Sequence, residues 1–241
     1  MRKDLYNSAM TKEQFLEILA QNGLELSRKQ MDQLCTYASF LKEYNEKINL
    51  TAITDFNEVL DKHFLDSLLL SFDKKMEGTI VDVGTGAGFP GVVLKICYPD
   101  LKVILIEPLM KRCIFLNELI SKLDLKDIEV INARGEDYSL AHREAYDFVT
   151  ARAVSNLNAL IEVCGAMVKK DGYFIALRGL NGETEIENAH NAIKQMGFEC
   201  ENVVKHSLND GSLRVIGYLR KVALTPKKLP RKYSIIKQRP L

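Results

Sequence analysis

Apolar residues follow two different rhythms along the chain. Over residues 1–77 they recur three to four positions apart: Phe15, Ile18 and Leu19 in one run, Leu34, Tyr37, Ala38 and Leu41 in a second, Phe56, Val59, Leu60 and Phe64 in a third. That spacing places them on one face of an α-helix. Thr11-Lys12-Glu13-Gln14 and Ser27-Arg28-Lys29-Gln30 each fit a capping box ahead of the first two runs, and a polar break from Asn45 to Thr54 precedes the third, expected over Asp55 to Phe72. From Thr79 the rhythm changes. Short apolar runs at Thr79–Val83, Val103–Ile106, Ile128–Ile131, Phe148–Ala151 and Tyr173–Leu177 alternate with helix-compatible stretches. Two further β-like runs, Glu199–Val204 and Leu213–Leu219, follow a helix that begins near Glu183. Alternating strands and helices predict an α/β protein with a mostly parallel sheet and helices on both faces. Three regions follow: an N-terminal helical cap (1–77), an α/β domain (78–221) and a C-terminal tail (222–241).

Length and composition change this picture little: 241 residues, 46% hydrophobic and 27% charged, are ordinary globular usage and exclude collagen-like, knottin and tandem-repeat architectures. Charge changes it more. The formal net charge is +1, yet no acidic residue follows Asp210, and nine basic residues lie between Gly211 and Leu241. Upstream remain 24 basic against 32 acidic residues, a net −8. A mildly acidic body ending in a basic strip is the footprint of a polyanion-binding surface, with Lys227, Lys228, Arg231, Lys232, Lys237 and Arg239 as its candidates; the alternative is a solvated tail. The five cysteines (Cys35, Cys97, Cys113, Cys164, Cys200) and four histidines (His63, His142, His190, His206) show no metal-ligand spacing, so no metal is expected. MRKDLYNSAM lacks the apolar stretch of a signal peptide, and no window approaches a membrane span, so the expectation is a cytoplasmic protein with reduced thiols.

The most informative stretch is Thr79-Ile80-Val81-Asp82-Val83-Gly84-Thr85-Gly86-Ala87-Gly88-Phe89-Pro90-Gly91, a strand running into a loop where a ligand can approach bare backbone. Gly86, Gly88 and Gly91 also match a dinucleotide pattern, so a nicotinamide enzyme is an alternative. Counted from Gly84, however, the third glycine position holds Phe89, and no basic residue precedes Lys95. Asp82, two residues before the first glycine, can accept from a cationic amino group or organise the loop backbone; a pyrophosphate would not favour it. These features favour S-adenosylmethionine, which carries a ribose, an amino-acid end and a sulfonium but no phosphate. Glu107 ends the second strand 23 residues after Gly84, placed to take ribose hydroxyls or to be a solvated strand end. After the third strand, the turn around Gly135 and Glu136 can meet an adenine amino group.

Methyl transfer from a sulfonium is an in-line displacement that chiefly needs alignment and exclusion of water. No cysteine adjoins a proline, as pyrimidine carbon-5 chemistry would usually require, and there is no Pro-Pro of an amine-methylating motif. A ring nitrogen such as guanine N7 has no proton to remove. Arg152, at the end of the fourth strand, is the candidate catalytic residue: it can donate to a guanine O6, stack on the base or hold the cofactor carboxylate, or else form a surface ion pair.

Over nearly its whole length the chain resembles the bacterial ribosomal RNA small subunit methyltransferase G family, also called glucose-inhibited division protein B. The resemblance rests on Asn49-Leu50-Thr51-Ala52-Ile53-Thr54, His63-Phe64-Leu65-Asp66-Ser67-Leu68, the glycine loop through Gly91, Lys111-Arg112 with Phe115-Leu116, Thr150-Ala151-Arg152-Ala153-Val154, and the tail from Pro226-Lys227-Lys228 to Arg239-Pro240-Leu241. It implies a Rossmann-like class I S-adenosylmethionine-dependent fold with a seven-stranded sheet, and N7 methylation of one guanine in the 530 loop of 16S ribosomal RNA. It further implies cofactor contacts at Gly84, Phe89, Gly135, Glu136 and Arg152, beside the Asp82, Gly84, Gly86, Gly88 and Glu107 read from the residues themselves. An RNA-binding or assembly factor that kept the fold without transfer is a second alternative. Departures from the family pattern are Gly135 where Ala is usual, Arg178 where Lys is usual, and Ser234 and Ile236 where the tail usually has Gly and Pro. The roles of Asn49, His63 and Asp66 do not follow from visible chemistry; the last two lie on one helical face and can pin cap to sheet.

Overall fold

The structure, a computed structural model, describes residues 9–152 and 156–241. Residues 1–8, and with them most of the N-terminal stretch read above, lie outside the described residues, as do Ala153, Val154 and Ser155. Both capping boxes form. The Thr11 hydroxyl accepts from Gln14 N and the Gln14 side chain from Thr11 N, opening α1 (Lys12–Gln21). Ser27 and Gln30 do the same for α2 (Arg28–Asn45). Each satisfies donors that a helix start otherwise leaves bare, a contribution of about 1 kcal/mol. Gln30 also donates through Nε2 to the carbonyls of Ile96 and Cys97, at 2.9 and 3.1 Å, and Gln33 to Leu123 O at 2.7 Å. These acceptors end α5 (Gly91–Cys97) and follow α6 (Met110–Lys122), so α2 caps helices of the following domain while packing against them.

The third predicted helix is real but segmented. Asp55 caps α3 (Phe56–Val59), a π-helical stretch follows at Leu60–Leu65, then α4 (Asp66–Leu68) and a 3₁₀ turn at Leu69–Ser71. A periodicity reading assumes one pitch throughout; burial on nearly every side from Val59 to Ser71 overrides it, because the backbone shifts pitch to seat residues at successive positions.

The sheet has seven strands in the order β3-β2-β1-β4-β5-β7-β6. β1 (Thr79–Val83), β2 (Lys102–Ile106), β3 (Ile128–Ile131), β4 (Tyr146–Ala151) and β5 (Val168–Arg178) pair in parallel. β6 (Phe198–Ser207) and β7 (Leu213–Lys221) form an antiparallel hairpin at the β5 edge. α7 (Gly135–Ala141), α8 (Leu157–Gly165), α9 (Gly182–Asn188) and α10 (His190–Gln195) complete the crossovers. Alternation along the strands separates two cores. Ile80, Val103, Leu105, Phe148, Ile175, Ile216 and Tyr218 face the cap, and their cluster is continuous with Phe15, Leu34, Tyr37 and Phe64. Val81, Val83, Ile104, Ile106, Val149 and Phe174 face α8 and α10 on the other side. Cap and sheet therefore share one core. The 222–241 segment is no loose tail: Leu229 and Ile236 are buried in the second core, and Arg143 donates to the carbonyls of Leu229 and Thr225.

The cap reaches the glycine loop through one hydrogen bond, from the Tyr37 hydroxyl to Ala87 O at 2.5 Å. Tyr37→Phe keeps the packing and orphans that buried carbonyl. It is expected to lower unfolding free energy by about 1–3 kcal/mol in urea titration and to weaken cofactor binding with it; unchanged stability would show that the bond holds nothing.

Candidate active site

Beyond the C-terminal ends of β3, β2, β1 and β4 the connecting loops converge, at the point where strand order reverses between β1 and β4. The loop after β1 is held from all sides. Gly84 N and Thr85 N donate to Ile106 O, and Gly86 N to Glu107 Oε2 at 3.0 Å. Gly84, Gly86 and Gly88 have φ of +71°, +62° and +101°, a backbone that side chains rarely adopt. A Cβ on Gly88 would also strike the Tyr37 hydroxyl at 2.7 Å, whereas one on Gly84 would meet nothing within 4 Å, leaving that backbone open to a ligand.

Asp82 is fully buried and divides its work between two oxygens. Oδ2 accepts from Thr85 Oγ1 at 2.6 Å and from Gly91 N at 2.9 Å, which organises the loop and starts α5. Oδ1 is buried with no partner among the described residues. Burial pushes the Asp82 pKa up to about 6, against the pull of those two hydrogen bonds and of the Arg152 charge. Glu107, also buried, is no solvated strand end: beyond Gly86 it accepts from Leu109 N at 2.9 Å, with Arg112 Nη1 3.8 Å away. An open cleft of about 610 Å³ runs over these strand ends, lined by Gly84, Glu107, Leu109, Arg112, Arg134 and Asp137 among others. Gly135 and Glu136 open α7 at its edge, and a Cβ on Gly135 would lie 2.6 Å from Val83 Cγ1, so glycine suits this neighbour where the family usually has alanine.

Phe89 lies deeper than a rim contact. It is 4% exposed, stacked between Tyr37 (ring centroids 5.3 Å) and His63 (4.4 Å), with the Arg152 guanidinium 5.0 Å above its ring. Its visible work is to seat Arg152 at the seam of cap and sheet. Arg152 Nη1 donates to Asp66 Oδ2 at 3.1 Å, so Asp66 does tie cap to sheet. His63 is held by Thr51 Oγ1 at Nε2 and by Lys62 O at Nδ1; burial and the nearby Arg152 charge lower its pKa to about 4, keeping it neutral. Asn49 is exposed, while the turn beside it is fixed by Asn45, whose side chain accepts from Leu50 N and Thr51 N. Alternation alone would have pointed Asp66's partner Arg214, two residues before the cap-facing Ile216, at this seam; its membership of the basic strip hid that signal.

The basic strip needs one correction. Arg231 donates to both carboxylate oxygens of fully buried Glu162 on α8, at 2.7 and 2.6 Å, and to Arg239 O. It anchors the C-terminal segment rather than standing out toward RNA, because a buried carboxylate without its partner is costly. Arg214 and Arg220 are likewise paired, and Lys221 is buried against three acceptors. Lys227, Lys228, Lys232, Lys237 and Arg239 remain exposed.

The cradle fits S-adenosylmethionine. The orphan Asp82 Oδ1 awaits a donor such as an ammonium group, and Lys95, the first cation after the loop, is buried with Nζ donating to Pro99 O and Leu101 O rather than toward a phosphate. The fold and this cradle define a Rossmann-like S-adenosylmethionine-dependent methyltransferase. The fold is that of a TYW2 from M. jannaschii solved in complex with AdoMet (TM-score 0.55, 16% identity, 66% of this chain and 76% of that one). It is also that of a SAM-dependent methyltransferase from Aquifex aeolicus (TM-score 0.52, 20% identity, 74% and 98%). In sequence, the family model for rRNA small subunit methyltransferase G matches residues 30–214. Ribosomal RNA small subunit methyltransferase G of Lysinibacillus sphaericus is 41% identical over 237 residues, covering 96% of this chain and 100% of the relative. That of Bacillus licheniformis is 46% identical over 228 residues, covering 92% and 95%. The chain belongs to this family.

Asp82→Asn separates stability from binding. The raised Asp82 pKa means that the folded state holds this proton more tightly than the unfolded chain. The stability it contributes is fully present below about pH 4 and is lost as pH rises through about 6. The amide keeps an acceptor for Thr85 and Gly91 and removes the buried charge, so at pH 7.5 the melting temperature should hold or rise. Affinity for the methyl donor should fall roughly 10- to 100-fold by calorimetry, as a charge-assisted bond of about 1.5–3 kcal/mol is lost. Equal donor affinity in the variant would remove Asp82 from the site.

Proposed function

We propose that this chain transfers the methyl group of S-adenosylmethionine to N7 of a guanine in the 530 loop of 16S ribosomal RNA, acting on it within the 30S subunit. The observation that carries the reading is family membership over residues 30–214. Asp82 and Glu107 are engaged with backbone amides, and His63 is neutral between Thr51 and Lys62. Guanine N7 has no proton to give, so the reaction asks for no base.

When bound, the cofactor supplies an electrophilic methyl group on a sulfonium. The Gly84–Gly88 backbone, Asp82, Glu107, Gly135 and Glu136 would hold it, with Asp82 as the acceptor for its amino group. Held there, it would supply the methyl to the guanine N7 lone pair with the C–S electrons left on sulfur, so that no proton would need to move. Catalysis is therefore chiefly alignment, supplied by rigid elements: a loop tied at Asp82 and Glu107, and an Arg152 fixed by Asp66 and Phe89 for the guanine edge. Lys227, Lys228, Lys232, Lys237 and Arg239 track the phosphates around the loop.

Incubation with isotopically labelled donor and unmethylated 30S subunits, followed by nucleoside digestion, should place the label in 7-methylguanosine, and Arg152→Ala should abolish it. Label in another nucleoside would discard the acceptor; wild-type transfer by the variant would discard Arg152. Replacing Lys227, Lys228, Lys232 and Lys237 by Gln should weaken 30S binding and flatten its salt dependence while leaving donor affinity alone. Loss of both affinities together would contradict that division.

A further inference from the structure

Asp66 carries two arginines. Besides Arg152 on Oδ2, it accepts Arg214 Nε on Oδ1 at 2.7 Å, and Arg214 Nη1 donates to Ser212 Oγ and Leu213 O. The Asp66 side chain is 10% exposed, whereas the Arg152 and Arg214 side chains are 26% and 27% exposed. One buried carboxylate thus holds two guanidiniums, one just past the end of β4 and one on β7, and the trio by itself sums to one positive charge, with the Asp210 carboxylate also near Arg214. His63 adds none, being neutral.

Holding the hairpin in place does not require this arrangement. Asp61 already accepts from Asn209 N at 2.9 Å and Asp210 N at 3.3 Å, Lys62 lies 3.8 Å from Asp210, and the Tyr218 hydroxyl donates to Leu70 O at 3.0 Å. Those bonds dock β7 and its turn on the cap without Arg214. A simple pin would balance Asp66 with one cation. A second, partly exposed and fixed through its Nε, is what recognition of an anion uses, because the planar fork is oriented before the ligand arrives.

Resting on the function proposed above, we infer that Arg214 is a substrate-binding residue that takes an RNA phosphodiester beside the acceptor guanine, and that Asp66 is a positioning residue that sets Arg214 and Arg152 side by side. Arg152 then meets the base while Arg214 meets the backbone next to it. This fixes the register of the acceptor nucleotide, which a distant lysine-rich strip cannot do.

The test uses full-length protein, labelled donor and unmethylated 30S subunits. Arg214→Gln should raise KM for the subunit about tenfold and reduce the slope of log(kcat/KM) against log[salt] by about 0.7–0.9, the share of one phosphate, with donor affinity unchanged. Arg214→Lys should restore the slope but only part of KM, since it returns the charge without the fork. Asp66→Asn should lower kcat and raise KM while leaving the salt slope at its wild-type value, because both cations remain while their orientation is lost. Wild-type KM and slope in Arg214→Gln overturn the inference. So does a raised KM with an unaltered slope, or a loss that follows melting temperature and is equal in the Gln and Lys variants. Methylation by the wild-type enzyme in the same assay keeps any such failure separate from failure of the proposed reaction.

Discussion

Everything at this site depends on the hydrogen bonds of one buried carboxylate. A loop with three glycines at positive φ has little stiffness of its own, and Asp82 Oδ2 joins its two ends, taking Thr85 at the start and Gly91 at the entry to α5. Glu107 repeats the device one strand over, reaching back to Gly86. Burying Asp82 raises its pKa to about 6, a cost that the loop bonds only partly offset. The unpartnered Oδ1 is the corresponding gain in function: a buried acceptor left for a donor. A neutral side chain could organise the loop equally well, so the retained charge is best explained by a cationic ligand.

The cap makes the second half of the site, which is why it shares a core with the sheet. Tyr37 steadies the loop from above, His63 and Tyr37 sandwich Phe89, and Asp66 reaches across to the ends of β4 and β7. Arg152 is thereby fixed by Asp66 and by the Phe89 ring, while β4, which ends one residue before it, contributes only its position. Docking the cap through amide side chains on helix-end carbonyls, as Gln30 and Gln33 do, adds hydrogen bonds without adding charge at the seam.

Much of this was legible in the sequence where local rules decide. The two capping boxes, all seven strands and the glycine loop follow from patterns within about a dozen residues, and side-chain alternation carries Asp82 to the cap face. Strand ends were less legible: β5 begins at Val168, five residues before Tyr173, where a polar Lys169–Asp171 stretch breaks the apolar run but not the ladder. The π-helical turn at Leu60–Leu65 answers to packing from several elements at once and leaves no periodic signature. Arg231 shows the same limit for charge, since only the fold brings it to Glu162, sixty-nine residues earlier, and turns a candidate for RNA into an anchor. Asp66 was visible as part of a block but silent as to role, because both its partners are more than eighty residues away.

The distribution of charge then has a physical reading of its own. Four of the nine basic residues after Asp210 are paired with acceptors of the fold, and the five that remain exposed lie on a segment anchored by Leu229 and Ile236 against the opposite face of the sheet from the cap. Long-range attraction from such a surface is screened within about 10 Å at 0.1 M salt, so it can raise the local concentration of RNA but cannot choose a nucleotide. Choice needs donors of fixed direction at contact distance. Within the described residues the Arg152–Asp66–Arg214 arrangement is where two guanidiniums are oriented by one carboxylate beside the loop. On the proposed function, an acidic body suits a reader of one base: repulsion would discourage RNA from settling elsewhere on the domain, and the oriented pair would mark the place where it stays.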